Sequence, residues 1–326
     1  MMNFLNNMNL IPKNFIIANI VDTLKDNPEE GAEKIFEMAD KFVKDPGTVT
    51  LLEQVKDAYY TRPAIRMYTK NLIYNTEKSC LTNFLQNVVV KELLEGLSKR
   101  EQFSQKYQVD IPHGFILNMS ETEINEIDRL IGQGRDLGIH LVILTNDDKQ
   151  LLKTFEKYSD VQFLVLTNGE SLSTKRCEML AELGNVFPMV INEENINDFG
   201  HLKSSGLLYG MITPTTPNNF KKVTSDMAVL PEIRQGSRLN WYVTSDKEML
   251  EVQKIKQLKQ RIDEIRQTRP YLTLHLETNQ FLNQGGLIGD LLVEETVNGR
   301  EYRLKFPMVN GEKSKGKNLI QILKNN

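Results

Sequence analysis

Two spacings of apolar residues divide the chain. Up to about residue 107 they recur every three or four positions, the period of a helix with one buried face. Asn27-Pro28-Glu29-Glu30 opens one such run, in which Ala32, Ile35, Phe36 and Ala39 repeat until Asp45-Pro46-Gly47 breaks it. Further helices are predicted at 49–60, 64–74 and 81–97, and the polar stretch 99–110 reads as a connector. From Ile111 onward short β-rich runs alternate with amphipathic helices, the signature of a parallel sheet built from strand–helix units.

Strands are predicted at 115–119, 137–144, 161–166, 187–191, 207–213 and 239–243, with helices at 121–137, 175–183 and 247–268. Residues 220–235 separate the last two of these strands. Ser120 and Glu123 are spaced as a capping box ahead of a buried face made by Ile124, Ile127 and Ile131. Gly138 stops that helix and Pro270 ends the last one.

With 326 residues the chain buries a core without difficulty. A net charge of −3 gives no long-range attraction for nucleic acid, and the lysine-rich tail 313–324 reads as solvated. No apolar run reaches the ~20 residues that span a bilayer, and residues 1–24 lack a basic start, a continuous apolar stretch and a small-residue cleavage site. A cytoplasmic protein without a transmembrane segment is expected. The two cysteines, Cys80 and Cys177, stand far apart and make neither a disulfide framework nor a metal-ligand spacing. The four histidines, His113, His140, His201 and His275, show no pairing on one helical face, so no metal site is expected.

Phe115-Ile116-Leu117-Asn118-Met119, Thr145-Asn146-Asp147-Asp148, Thr167-Asn168-Gly169 and Leu183-Gly184-Asn185-Val186, taken in this order, resemble the motif series of the radical S-adenosylmethionine enzymes. Phe115-Ile116-Leu117-Asn118-Met119 is similar to that family's first strand, after which the family carries Cys-x-x-x-Cys-x-x-Cys; here Ser120 follows at once and the loop is missing. Thr145-Asn146-Asp147-Asp148 stands where the family has Gly-Gly-Glu-Pro, whose backbone and carboxylate hold the methionine amino group. Thr167-Asn168-Gly169 matches a strand end of the family, and Leu183-Gly184-Asn185-Val186 matches a motif of one branch. Both glycines are expected to turn the chain at positive φ, with structural rather than ligand-binding roles. Gly285-Gly286-Leu287-Ile288-Gly289, Val297-Asn298-Gly299 and Phe306-Pro307-Met308 resemble the auxiliary-cluster (SPASM) region, with Leu287 and Met308 where thiolates would stand.

The resemblance covers the chain from Ile111 to the C-terminus and implies an α/β fold, a partial (β/α)6 TIM-like barrel at 108–270. A helical region, 1–107, precedes it, and a C-terminal β-hairpin extension, 271–326, follows as a SPASM-like remnant without cluster cysteines. Ligands of such a barrel sit at the carboxyl ends of its strands. The residues there are Asn118, Asn146, Asp147, Asn168, Asn192, Glu194, Thr213, Thr215 and Thr216, a polar ring that could hold a small molecule, although any such fold has polar strand ends because its loops face water. The neighbouring acids Asp147–Asp148 and Glu193–Glu194 point oppositely on an extended chain and read as solvated loop charge.

Reductive cleavage of a sulfonium needs a cluster held by thiolates. No 4Fe–4S cluster is expected, no residue is assigned a catalytic role, and S-adenosylmethionine is expected to bind weakly or not at all. The first expectation is a pseudoenzyme acting as a binding or regulatory scaffold, with a protein partner such as an active homologue. The alternative is a cluster-independent enzyme, or a nucleotide- or S-adenosylmethionine-binding protein, that uses the polar strand ends. Convergent carboxylates with room for substrate would favour the enzyme; a cavity filled by side chains would favour the scaffold.

Overall fold

A computed structural model describes residues 13–42, 46–119, 122–191, 200–227, 237–245, 250–269, 272–278, 289–297, 300–310 and 315–325. The N-terminal part is helical, as its periodicity predicts: α1 (Lys13–Asp26), α2 (Pro28–Phe42), α3 (Pro46–Thr61), α4 (Pro63–Tyr74) and α5 (Lys78–Phe84). Proline opens three of these helices, where its missing N–H has no partner to lose. Ile17, Val21, Leu24, Ile73, Leu81 and Val90 form a core of their own. The helix does not end where the polar residues begin. A π-helical stretch, Leu85–Gly96, runs into α6 (Leu97–Tyr107), so most of the expected connector is helical up to Gln108, which has a φ of 52°.

One sheet of ten strands follows, in the order β10-β1-β2-β3-β4-β5-β6-β7-β8-β9, and curls into a nearly closed barrel. Its strands are β1 (Phe115–Asn118), β2 (Leu141–Leu144), β3 (Gln162–Thr167), β4 (Val186–Ile191), β5 (Gly210–Pro214), β6 (Leu239–Ser245), β7 (Leu272–Thr278), β8 (Leu291–Val297), β9 (Arg300–Phe306) and β10 (Met308–Asn310). Around them lie α7 (Ile124–Asp136), α8 (Leu152–Lys157), α9 (Thr174–Leu183), α10 (Gly200–Ser204), α11 (Phe220–Asp226), α12 (Val252–Thr268) and α13 (Leu319–Lys324).

The six predicted strands are present, parallel and in sequence order, but the sheet exceeds the expected six. β7 adds a seventh parallel strand on β6, β8 and β9 make an antiparallel hairpin, and β10 pairs parallel with β1. Because β9 runs antiparallel to β8 and β8 antiparallel to β7, β9 points the same way as the parallel set. β9 and β10 are thus one strand, separated by Pro307, whose two halves have different partners.

Alternation of side chains assigns the two faces of the sheet. Phe115 lies under α7, so close that a Cβ on Gly134 would come within 2.7 Å of its ring. Phe163 packs against Phe155 of α8 in a tilted ring pair with centroids 4.9 Å apart, and Tyr242 packs with Leu258, Ile262 and Ile265 of α12. These mark the outer face. The register then places Ile116, Ile143, Leu164, Phe187, Ile212, Trp241 and Leu274 together on the inner face. The middle of that face is apolar, and all of these seven except the half-buried Leu274 are buried; buried Gln162 at one end and Asn118 at the other are polar members of the same face.

Two local expectations differ from the structure. α7 begins at Ile124 with Glu123 at its N-cap and no side-chain cap, so Glu123 is not the third residue of a capping box; Ser120 and Glu121 lie outside the described residues. The Thr122 hydroxyl instead donates to the Asn118 carbonyl at 2.6 Å. The helix expected at 247–268 is α12 and starts at Val252. The positive-φ glycines are as expected: Gly138 at 88°, Gly169 at 87° and Gly184 at 72°.

Candidate functional site

The carboxyl ends of β1 to β3 carry most of the described polar ring. Asn118 ends β1 on the inner face and is fully buried, with Asn310 of β10 beside it in register. Thr145, just past β2, accepts from the Met119 amide at 3.0 Å and ties the first two strand ends together. Asn146 is exposed and caps its own turn by accepting from the Asp147 amide at 2.8 Å.

Asp147 is the buried acid of this end, its side chain 3% exposed. Arg176, in the first turn of α9, grips it with both arms of the guanidinium: Nε donates to Oδ2 at 3.0 Å and Nη2 donates to Oδ1. Ser171 donates to the same Oδ2 at 2.7 Å, and Arg176 Nη2 also reaches the Asp148 carbonyl at 3.2 Å. A carboxylate held by a bidentate guanidinium and a hydroxyl has its charge and its lone pairs largely engaged. This clamp joins the loops after β2 and β3, and it spans 29 residues of sequence, so no local motif announces it.

The remaining ring residues bond within their own turns or to the neighbouring strand. Asn168 is exposed and accepts from the Glu170 amide at 3.1 Å, while Thr167 Oγ1 accepts from the Gly169 amide at 3.0 Å. Thr213 and Thr215 are buried; the Thr215 amide donates to the Val243 carbonyl at 2.7 Å and its hydroxyl to the Thr213 carbonyl at 3.3 Å. Thr216 donates its amide to Asn219 Oδ1 at 2.8 Å. Asn192, Glu193 and Glu194 lie outside the described residues, as does Leu287.

The residues present do not fit an iron–sulfur cluster. Such a cluster takes thiolates, and the chain has two cysteines. Cys80 lies on α5 with its thiol donating to the Ala181 carbonyl, and Cys177 lies on α9, so neither is on a strand-end loop. Burial pushes both thiols up to about 11, against thiolate formation. Among the described residues no group of three or more His, Cys, Asp and Glu side chains is placed to hold a metal ion.

At the opposite end of the barrel, sequence reading missed a buried charge cluster. Glu92, in the π-helical stretch, and Arg100, on α6, form an ion pair at 2.6 Å with both side chains 3% exposed. Glu92 also accepts from the His140 amide at 2.8 Å and lies 3.1 Å from His113 Nδ1; Arg100 donates to the Gly138 carbonyl at 2.7 Å. The cluster fastens the helical region to the starts of β1 and β2. The helical run that holds them also carries Lys91, Glu95, Lys99, Glu101 and Lys106, so nothing local marks Glu92 and Arg100 as the buried pair or says which strands they meet. Beside the cluster a groove of about 1020 Å³ opens between α6, residues 109–113 and β9.

Two of the other histidines, His140 and His275, have structural surroundings. His140 Nδ1 lies 2.8 Å from the Asp160 carbonyl, and burial holds its pKa below the usual value. His275 sits on the outer face of β7, 2.9 Å from the Thr244 hydroxyl, and burial lowers its pKa to about 4. Among the described residues no helix is long and apolar enough to cross a membrane.

No family model matches the chain, and no curated protein is similar to it. Among solved structures it is similar to SuiB of Streptococcus suis, with a TM-score of 0.42 and 12% identity over 65% of this chain and 64% of that one. SuiB bound to precursor peptide SuiA gives a TM-score of 0.40 and 10% identity over 64% of this chain and 65% of that one. A type I 3-dehydroquinate dehydratase of Clostridium difficile gives 0.34 and 13% over 51% and 75%. The chain thus spans slightly less than two thirds of SuiB, and these likenesses are too distant to carry chemistry or substrate across.

Proposed function

We propose that the chain is a radical-S-adenosylmethionine-like pseudoenzyme, a barrel retained as a binding or regulatory scaffold that works with a protein partner such as an active homologue. The observation that carries this reading is the state of Asp147. In the segment that stands for Gly-Gly-Glu-Pro, the acid is turned inward and held by Arg176 and Ser171, so it is not presented to a ligand's amino group. The middle of the inner face agrees with the same reading: Ile143, Leu164, Phe187, Ile212 and Trp241 stand there in register and bring no charged group to a ligand.

The test is anaerobic reconstitution of the full chain with iron and sulfide, followed by calorimetric titration with S-adenosylmethionine. The expected results are no stoichiometric cluster and no low-micromolar binding. A brown protein holding about four irons per chain, with a charge-transfer band that Cys80→Ala or Cys177→Ala abolishes, would overturn the reading.

A further inference from the structure

The strand that closes the barrel changes partner at Pro307. Residues 300–306 pair with β8 and residues 308–310 with β1, and the first bond on the β1 side is from the Ile116 amide to the Pro307 carbonyl at 2.9 Å. Below that bond, no described strand pairs with the edge of β9 that faces away from β8. The segment that would continue β1 downward turns onto α6 instead. The Val109 amide donates to the Ser104 carbonyl at 3.3 Å and the Ile111 amide to the Ser104 hydroxyl at 3.1 Å, while Pro112 has no N–H to offer. The splay between these two segments is the groove of about 1020 Å³, lined along one side by Arg303, Leu304 and Lys305.

An open strand edge presents N–H and C=O groups at the spacing of an extended backbone, which is the chemistry that recognises another strand. We propose that this groove takes an extended segment of a partner polypeptide, added to β9 as a further strand. The proposal gives the scaffold reading a partner of stated chemistry and rests on that reading for its purpose, though not for its geometry.

The side chains of β9 set the preferred sequence of the guest. Arg303 and Lys305 share one face and are well exposed, and each meets an acid of the β8 side, Glu294 at 3.3 Å and Asp290 at 2.9 Å. A guest strand with acids at the same level would place each cation between two carboxylates, the favourable cross-strand arrangement. Leu304 points to the other face and is 39% exposed, with Leu97, Val109, Ile111 and Leu323 lining the same groove. An apolar guest residue fits there. The guest is therefore an acidic–apolar–acidic stretch. Glu101 and Asp110 on the far wall keep the net charge of the groove small, so charge sets register while backbone pairing and apolar contact supply most of the binding.

The experiment is hydrogen exchange of the full chain, read at residues 300–306, with an acetylated octapeptide alternating valine and glutamate. The expected result is fast exchange at the unpaired β9 amides of the free protein and saturable protection on adding the peptide. A valine–lysine octapeptide and a backbone N-methylated valine–glutamate peptide should each give much less protection. Arg303→Glu with Lys305→Glu, both on the surface, should weaken the valine–glutamate peptide about fivefold to tenfold, as two rim charges would.

Three results would overturn the proposal: no protection by the valine–glutamate peptide, β9 amides already slow in the free chain, or protection that rises with protein concentration alone. The second would mean that the chain covers its own edge, and the third that a second copy does. None of them touches the iron and S-adenosylmethionine tests of the scaffold reading, so the two fail separately.

Discussion

Glu92→Gln removes a negative charge from a place that cannot easily do without it. The native carboxylate is 3% exposed and pairs with Arg100 at 2.6 Å, with the His140 amide at 2.8 Å and His113 close by. Burial pulls the Arg100 pKa down and Glu92 is the main influence that opposes it. Without the carboxylate, the guanidinium keeps carbonyl acceptors, that of Gly138 at 2.7 Å and that of residue 92 at 3.3 Å, but no counter-charge. Breaking one side of a buried pair costs ~3–5 kcal/mol. Glutamine preserves shape and one acceptor, so a loss near ~3 kcal/mol is expected, and Arg100→Met should cost a similar amount by stranding the carboxylate. Glu92→Leu with Arg100→Met leaves no buried charge, only orphaned acceptors and one amide worth ~1–3 kcal/mol. The double variant should therefore lose at least ~2 kcal/mol less than the sum of the single losses. Urea unfolding of wild type, Glu92→Leu, Arg100→Met and the double variant, with the slope m compared across them, measures this coupling. Additivity within ~0.5 kcal/mol, or a Glu92→Gln loss below ~1 kcal/mol, would refute the buried pair.

His275 gives a pH dependence. Its folded pKa, lowered by burial with Lys259 and Arg266 adding to the shift, is about 4, against 6.5 for the free side chain. The unfolded chain binds the extra proton between those values, so stability is full above pH 6.5 and falls as pH drops towards 4, by at most ~3 kcal/mol. His275→Gln should flatten that part of a stability–pH curve, with a residual slope from buried His140; an unchanged curve contradicts the burial. Gly184→Val should lower stability by ~2–4 kcal/mol, since φ is 72° and a Cβ would lie 2.6 Å from the Ser79 carbonyl oxygen. Gly169→Val, at 87°, should cost ~1–3 kcal/mol and exposed Asn168→Ala little, so equal melting temperatures for wild type and both glycine variants would refute the turn assignment. Both thiols, pushed up to about 11 by burial, should react with a thiol reagent at pH 8 only after unfolding; rapid labelling of the native chain counts against their burial.

The alternation of strands and helices after Ile111 was legible because each strand must carry a short β-rich run, whatever it later pairs with. The local turn chemistry was legible too, since glycine reports positive φ at 138, 169 and 184 without reference to the rest of the fold. Chain extent was not. The sheet passes six strands because Leu272–Thr278 pairs with β6, and because the strand that changes partner at Pro307 carries its end to β1, and both are pairings between distant segments.

The polar residues past each strand were also readable, and their type alone marked them as ring members. What only tertiary structure decided was their engagement. Asp147 and Asn146 look alike as exposed loop polars in sequence, but a guanidinium brought from α9 buries one and leaves the other in water. The same holds at the other end of the barrel. Glu92 and Arg100 are eight residues apart, too far for a one-turn helix pair, and the π-helical stretch together with the starts of two strands turns them into a dry ion pair. Sequence specifies propensity and periodicity residue by residue, whereas burial and charge compensation belong to groups that meet only when the chain has folded.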